Sequence, residues 1–317
     1  MKRKGTGKLF QIGLLLLCCC SAGLLKSWGQ ASTNLSLLFP KDKTVGRLIL
    51  LKPEWQADQK SAFGKPLAAA RGAVNTFAGQ KIMLLANDCI SECMPFLASL
   101  PPNALVCLVL SGSSIADKDL VYVNHLTGLR WLELEDTDIG DAGLAQLTKL
   151  NKLEYLRLSS TLVKGLSLDS LRGSPLKTLD INSVGLDATA FSRLANFKEL
   201  RCLNLNHSAA SDSALTPVSK LPNLELLSIA DNVQVTDAGI KKLVGLKRLQ
   251  RLNVANTSVT ADGILALKGL DLRFIRLSSR CKNPRTQARL QQAFPRALIE
   301  FELDRPRMPA ELFAPLH

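Results

Sequence analysis

Eight segments of this 317-residue chain fit one pattern, L-x-x-L-x-L, at a nearly fixed spacing. The pattern falls on Leu105/Leu108/Leu110, Leu129/Leu132/Leu134, Leu153/Leu156/Leu158 and Leu176/Leu179/Ile181. It continues on Leu200/Leu203/Leu205, Leu224/Leu227/Ile229, Leu249/Leu252/Val254 and Leu272/Ile275/Leu277. All 24 positions are Leu, Ile or Val, and the steps between successive last positions are 24, 24, 23, 24, 24, 25 and 23. With apolar residues at 46% of the chain, chance alone gives about 10⁻⁸ for such a run in a fixed register. Few architectures accept that regularity. A unit of this length is one supersecondary element that cannot bury its apolar face alone, so neighbours must stack.

Each unit also has a second half. After the apolar triplet comes a turn residue (Ser113, Thr137, Thr161, Ser208, Asn232, Thr257), then a short amphipathic segment. Thr236-Asp237-Ala238-Gly239-Ile240 and Gly140-Asp141-Ala142-Gly143-Leu144 begin such segments with N-capping chemistry. Apolar residues then recur three apart at Leu144/Leu147/Leu150, Ile240/Leu243/Leu246 and Ile264/Leu267/Leu270, which is one face of a short helix. The unit is therefore strand, turn and helix. Val184 and Arg280 replace the hydroxyl or amide at two turns, where a different local geometry is expected. Upstream, Ile82 and Leu84, 26 residues before Leu108 and Leu110, suggest a worn first rung, and Ile299 and Phe301 a last strand. Asn283-Pro284 opens a capped helix with proline at its first position.

These residues resemble leucine-rich-repeat proteins, most nearly the bacterial-type repeats with T-D-A-G-L, themselves similar to the cysteine-containing class. Leu249-Gln-Arg-Leu252-Asn-Val254-Ala-Asn-Thr257-Ser-Val259-Thr260 carries the resemblance well. It implies an α/β leucine-rich-repeat solenoid: curved, with a parallel sheet on the concave face and short helices on the convex face. The expected organisation is a signal peptide or membrane anchor at 1–29, a linker at 30–44 and an N-terminal cap at 45–80. The solenoid with its closing helix and strand follows at 81–303, then a tail at 304–317.

Residues that alternate with the inward leucines point outward and form rows across the concave face. One row reads Cys107, Trp131, Tyr155, Thr178, Cys202, Leu226, Arg251, Phe274; the next holds Glu133, Arg157, Asp180, Asn204, Ser228, Asn253 and Arg276. Trp131 and Tyr155 are adjacent, with Arg157 beside them, and such side chains are enriched at binding hot spots. A third row holds Ser111, Glu135, Ser159, Asn182, Asn206, Ala230, Ala255 and Ser278. The partner-binding set expected from the three rows is Trp131, Tyr155, Arg157, Glu133, Asp180, Asn182, Asn204, Arg251 and Arg276. The competing reading has the aromatics shield neighbouring strands or pack against a loop. A second candidate is charge: Lys241 to Arg289 holds twelve Lys or Arg against Asp262 and Asp271, which would attract an acidic protein or an anionic envelope surface. The bland alternative is a solvated face.

The first residues have another grammar. Lys2, Arg3, Lys4 and Lys8 precede the apolar run Ile12 to Cys20, as in a secretory signal. Cleavage before Gln30 is expected, with Ser21-Ala22-Gly23 as a second site and lipidation or retention as an anchor as alternatives. Cleavage removes five basic residues and no acid, so the formal charge falls from +13 to +8. It leaves Cys89, Cys93, Cys107, Cys202 and Cys281, an odd set that suits no disulfide framework. Cys89 aligns with Ile115 and Ile139 and is expected in the core. No H-E-x-x-H, G-x-S-x-G or G-x-x-x-x-G-K-[ST] occurs, so the expectation is a non-catalytic exported protein without cofactor or metal. Nucleic acid is not an expected partner. The competing function is a structural component of the cell envelope, held by its N-terminal segment or basic C-terminal third.

Overall fold

The computed structural model describes residues 34–57 and 64–302. The expected signal or anchor at 1–29 and the tail at 304–317 lie outside the described residues. Each expected apolar triplet enters or flanks a strand, and all 24 of its side chains are at most 2% exposed. The strands are β5 (Ile82–Ala86), β6 (Cys107–Val109), β7 (Trp131–Glu133), β8 (Tyr155–Arg157) and β9 (Thr178–Asp180). They continue as β10 (Cys202–Asn204), β11 (Leu226–Ser228), β12 (Arg251–Asn253), β13 (Phe274–Ser278) and β14 (Leu298–Glu302). All pair in parallel with their sequence neighbours, and the middle leucines stand in register: Leu108, Leu132, Leu156, Leu179, Leu203, Leu227, Leu252, Ile275, Ile299.

The return segments are short helices. They include α1 (Leu120–Val123), α2 (Asp141–Leu144), α3 (Leu215–Val218), α4 (Asp237–Lys241), α5 (Ala261–Leu265) and the longer α6 (Pro284–Ala293). Three coils use 3₁₀ turns instead, at Asp88–Glu92 with Met94–Ser99, at Leu168–Leu171 and at Ala190–Asn196. One hydrophobic cluster runs from Leu37 to Ala297 and joins strand and helix faces of every coil.

The turn ladder has a clear physical basis. The hydroxyls of Thr137, Thr161, Ser208 and Thr257 donate to the carbonyl three residues back at 2.6, 2.7, 2.6 and 2.7 Å. Asn232 does the same with its amide, at 3.0 Å to the Ile229 carbonyl. Just before each turn residue the backbone enters the left-handed region, at Gly112, Asp136, Ser160, Ser183, His207, Asp231 and Asn256. Most of these are glycine or short polar residues that tolerate positive φ. Val184 keeps that geometry because Ser183 still turns left-handed, while Val184 itself is buried. Where Arg280 stands, β13 runs to Ser278 and a 3₁₀ turn, Ser279–Cys281, follows.

The T-D-A-G segment at 236–239 and its variants, T-A-D-G at 260–263 and G-D-A-G at 140–143, interlock adjacent coils. Thr236 and Thr260 cap their own helices, accepting from Ala238 N and Asp262 N at 3.2 Å. Asp212 and Asp237 reach forward and accept from the next coil's Thr236 N and Thr260 N, each at 2.7 Å. Asp117 accepts from Gly140 N at 2.6 Å in the same way.

Two expectations near the N-terminus need correction. The first rung is set by pairing Leu84 with Leu108, so the step is 24 residues and not the 26 read from Ile82 and Leu84. A two-residue slip keeps the same residues inward, so alternation alone could not fix it. In the segment that follows, Ile90 and not Cys89 is buried in the core, and Cys89 is exposed. The span expected as a linker also carries β1 (Asn34–Leu38), which pairs antiparallel with β4 (Ala73–Phe77). Leu37 and Phe39 are buried there, which supplies the free energy that orders the segment. Beyond β5 the main sheet continues through β2 (Gly46–Leu50) and β3 (Lys65–Ala69), both antiparallel to their neighbours. At the other end, Asn283 accepts from Thr286 N at 2.8 Å and caps α6, whose Leu290 is buried.

Candidate functional site

The parallel register sets the outward rows side by side, and the rows divide into two different surfaces. On β7 and β8, Trp131 and Tyr155 stack with ring centroids 3.6 Å apart and planes 9° from parallel. They do not face water. The connection after β2 passes over them and places Trp55 6.2 Å from Trp131, and Trp131, Tyr155 and Trp55 are 0%, 3% and 0% exposed. Leu51, Ala57, Met83 and Cys107 complete this second, smaller hydrophobic cluster. The expectation that Trp131 and Tyr155 stand open to a partner is therefore corrected: the sheet's aromatic pair is the bed on which the chain's own Trp55 lies. Burial pushes the Tyr155 hydroxyl well above its ordinary pKa, with Glu133 and Asp180 adding to the shift. Burial does the same to the Cys107 thiol.

The neighbouring polar positions are engaged within the sheet. Glu133 accepts from the Trp131 indole at 3.0 Å. Arg157 lies 2.6 Å from Glu135 and 3.5 Å from Asp180. Burial disfavours its charge, yet the two carboxylates outweigh that and hold its pKa above the ordinary value. Asp180, Asn204 and Asn253 accept from the backbone N–H two residues on, at Asn182, Asn206 and Ala255, over 3.2, 3.0 and 3.1 Å. Asn182 accepts from the Ser183 hydroxyl at 3.3 Å, and Asn206 takes bonds from Ser228 and Ala230 N at 2.7 and 2.8 Å. Buried polar groups need such partners, so these side chains are explained by closing strand ends. Asp180, Asn182 and Asn204 thus have structural roles within the sheet.

The C-terminal half of the face is different. Arg251 and Arg276 place their guanidinium carbons 5.8 and 5.4 Å from the centroid of Phe274, with Leu226 on the strand beyond Arg251. Arg276 also pairs with Glu300 at 2.6 Å. Burial pulls the Arg251 pKa below its ordinary value, with Cys202 opposing. A shallow hollow there is lined by Leu226, Ser228, Arg251, Asn253 and Phe274. Sequence reasoning placed Arg251 and Arg276 here but passed over Phe274, and it passed over Trp55 altogether. Phe274 stood in the outward row as the only other six-membered aromatic ring after Tyr155, a usable signal. Trp55 sits outside every repeat, so no periodicity located it.

Stacked strand–turn–helix coils on one continuous parallel ladder decide the architecture. The fold is a leucine-rich-repeat solenoid. No protein-family model matches the chain. Among solved structures it is similar to an internalin (inlF) from Listeria monocytogenes at 22% identity and a TM-score of 0.48. That match covers 70% of this chain and 58% of the internalin, so the chain spans less than two thirds of that protein. It is also similar to an internalin C2 of the same organism at 23% identity and a TM-score of 0.47, over 66% of this chain and 84% of the other. Among the described residues no helix is long and apolar enough to cross a membrane, and no cluster of metal-ligating side chains forms.

Proposed function

We propose that this solenoid is an exported recognition module that takes up a protein or peptide segment on the C-terminal half of its concave face. The observation that carries the reading is Phe274 with the guanidinium groups of Arg251 and Arg276 over it, beside the aliphatic Leu226. Phe274 and Leu226 are themselves 9% and 5% exposed, so the ring serves as the bed for the two guanidinium groups, which are less buried. Arginine held on an aromatic ring is a composition common at interface hot spots. It favours a segment that brings an apolar side chain and a carboxylate. Export rests on the basic and apolar N-terminal grammar. The aromatic pair Trp131 and Tyr155, with Trp55 above it, supports the surface without touching the ligand.

Cross-linking of the mature chain to proteins of its own extracytoplasmic environment, followed by mass spectrometry, tests this. Cross-links are expected around β11 to β13. Replacing Arg251 and Arg276 together by alanine should weaken binding by about 2 kcal/mol or more, the size of a hot-spot loss. Undiminished binding by the double variant, or cross-links confined to the helical face, would refute the proposal. Loss of binding only when the exposed Arg285 and Arg289 are replaced would favour attachment to an anionic surface instead.

A further inference from the structure

The strands β5 to β14 all run parallel, so every loop that leads into a strand lies on one flank of the solenoid and every loop that leaves one lies on the other. Charge divides with them. The six successive loops leading into β8 to β13 each carry an exposed cation: Lys152, Arg172, Lys198, Lys220, Lys247 and Lys268. Among the described residues no acid pairs with any of them, because the acids of the same loops are held by other cations. Glu154 lies between Arg130 and Lys177, Glu225 beside Arg201, and Asp271 between Arg273 and Arg296, which leaves Glu199. The opposite flank carries Asp136, Asp138, Asp187, Asp212, Asp231 and Asp237, and between β7 and α5 its loops hold only Lys164 in return.

Capping accounts for part of the acidic flank, since Asp212 and Asp237 accept from backbone N–H groups of the next coil. The cations lack such a duty. Only the side chains of Lys198 and Lys247 reach a carbonyl, at 3.2 and 3.1 Å. A row of like charges repels itself, and a bound anion relieves that cost. We propose that this flank binds a linear phosphate-bearing polyanion laid across the successive loops. Strands lie about 4.8 Å apart, so the row runs roughly 24 Å in steps shorter than the ~8 Å Debye length at physiological salt. The cations therefore act together on a chain of charges, whereas a lone phosphate meets one or two. Five of the six are lysines, mobile point charges that suit phosphate groups without a fixed bidentate geometry. None of the exposed large apolar side chains falls in these loops, so the flank has nothing to insert into a bilayer and fits a polymer better than a lipid surface. The surface is separate from the concave strip proposed for a protein partner and adds a second ligand to it.

Long-chain inorganic polyphosphate is the probe, used with the full-length chain. The row variant is Lys152→Gln/Arg172→Gln/Lys220→Gln/Lys268→Gln, four side chains that make no bond within the protein. Its affinity at 0.1 M salt should fall about tenfold or more. The slope of log affinity against log salt should shrink by about 3, since each lost contact removes about 0.7 when the polyanion is flexible. Lys118→Gln/Lys164→Gln/Lys241→Gln/Lys282→Gln carries the same net charge but leaves the row intact, and should bind within about threefold of wild type. The N-terminal cations are common to all three proteins. Equal losses in the two variants, or no loss in the row variant, overturn the proposal, as does a wild-type chain that ignores polyphosphate. Binding to phosphatidylglycerol vesicles but not to polyphosphate also overturns it, assigning the row to a membrane surface. Arg251 and Arg276 are untouched throughout, so any of these failures leaves the partner-binding reading standing.

Discussion

At Gly239 the nearest neighbouring side chain, Asp212, belongs to a different coil. A Cβ there would collide with the carboxylate of Asp212, which is already held by Thr236 N at 2.7 Å and the Thr236 hydroxyl at 2.6 Å. Gly143 and Gly263 are in the same position against Asp117 and Asp237. The glycine of T-D-A-G is thus the room that the preceding coil's aspartate needs, and the motif is an inter-coil lock. Gly239→Ala should lower stability by about 1–3 kcal/mol through overpacking, whereas Gly245→Ala, with open space around it, should be neutral or slightly stabilising. Urea unfolding of the two variants separates a steric cause from helix propensity; equal effects would dismiss the lock. The capping threonines were legible in the sequence because caps are local. The glycine's role was not, since it is defined only by the neighbour on which it stacks. Thr257→Val tests the turn ladder similarly. It removes a donor to the Val254 carbonyl at 2.7 Å and should cost about 1 kcal/mol, with wild-type stability arguing against any role for that hydroxyl.

Among the elements, the connection that follows β2 does something the repeats cannot. It carries Trp55 across the rows of β7 and β8 and turns two expected contact residues into a floor. Adjacency of Trp131 and Tyr155 could be read from the spacing, since strand register follows the leucines. Their burial could not, because it depends on a segment outside the repeat. Trp55→Ala should cost about 3–5 kcal/mol, as for other large aromatic deletions from a packed site, and it should expose the ring of Tyr155. The phenol gives a second readout. Its pKa in the folded chain is raised above the ordinary value by burial, so the neutral form's contribution to stability is complete below about pH 10 and is lost as pH rises beyond it. Wild type should therefore lose more stability on the alkaline side than Tyr155→Phe does. Matching alkaline profiles for the two chains, measured by denaturant unfolding, would mean that Tyr155 is not sealed.

For the molecule as a whole, stability is distributed along one axis. The main cluster passes through every coil, and each backbone ladder bond ties a coil to its neighbours. A charge ladder on the flank adds to this: Glu154 accepts from Arg130 at 2.6 Å and from Lys177 at 2.8 Å, linking three successive coils through one buried carboxylate. In such a nearest-neighbour array a defect at the centre uncouples both sides, whereas a defect at an end frays only the end. Leu203 is central, fully buried, and paired with Leu179 and Leu227. Leu203→Asp puts a carboxylate where no polar partner can reach it, at a cost of several kcal/mol. Hydrogen exchange should then show the coils around β9 to β11 losing protection together. The equivalent change at Ile299 in the terminal strand should spare everything before β13. If both variants lost protection only at the substituted strand, the coils would be independent units and the stacked array would not be what holds the concave face in shape. If both collapsed the entire chain, the terminal coil would be no weaker than the centre, contrary to an array in which each coil is stabilised by its neighbours alone.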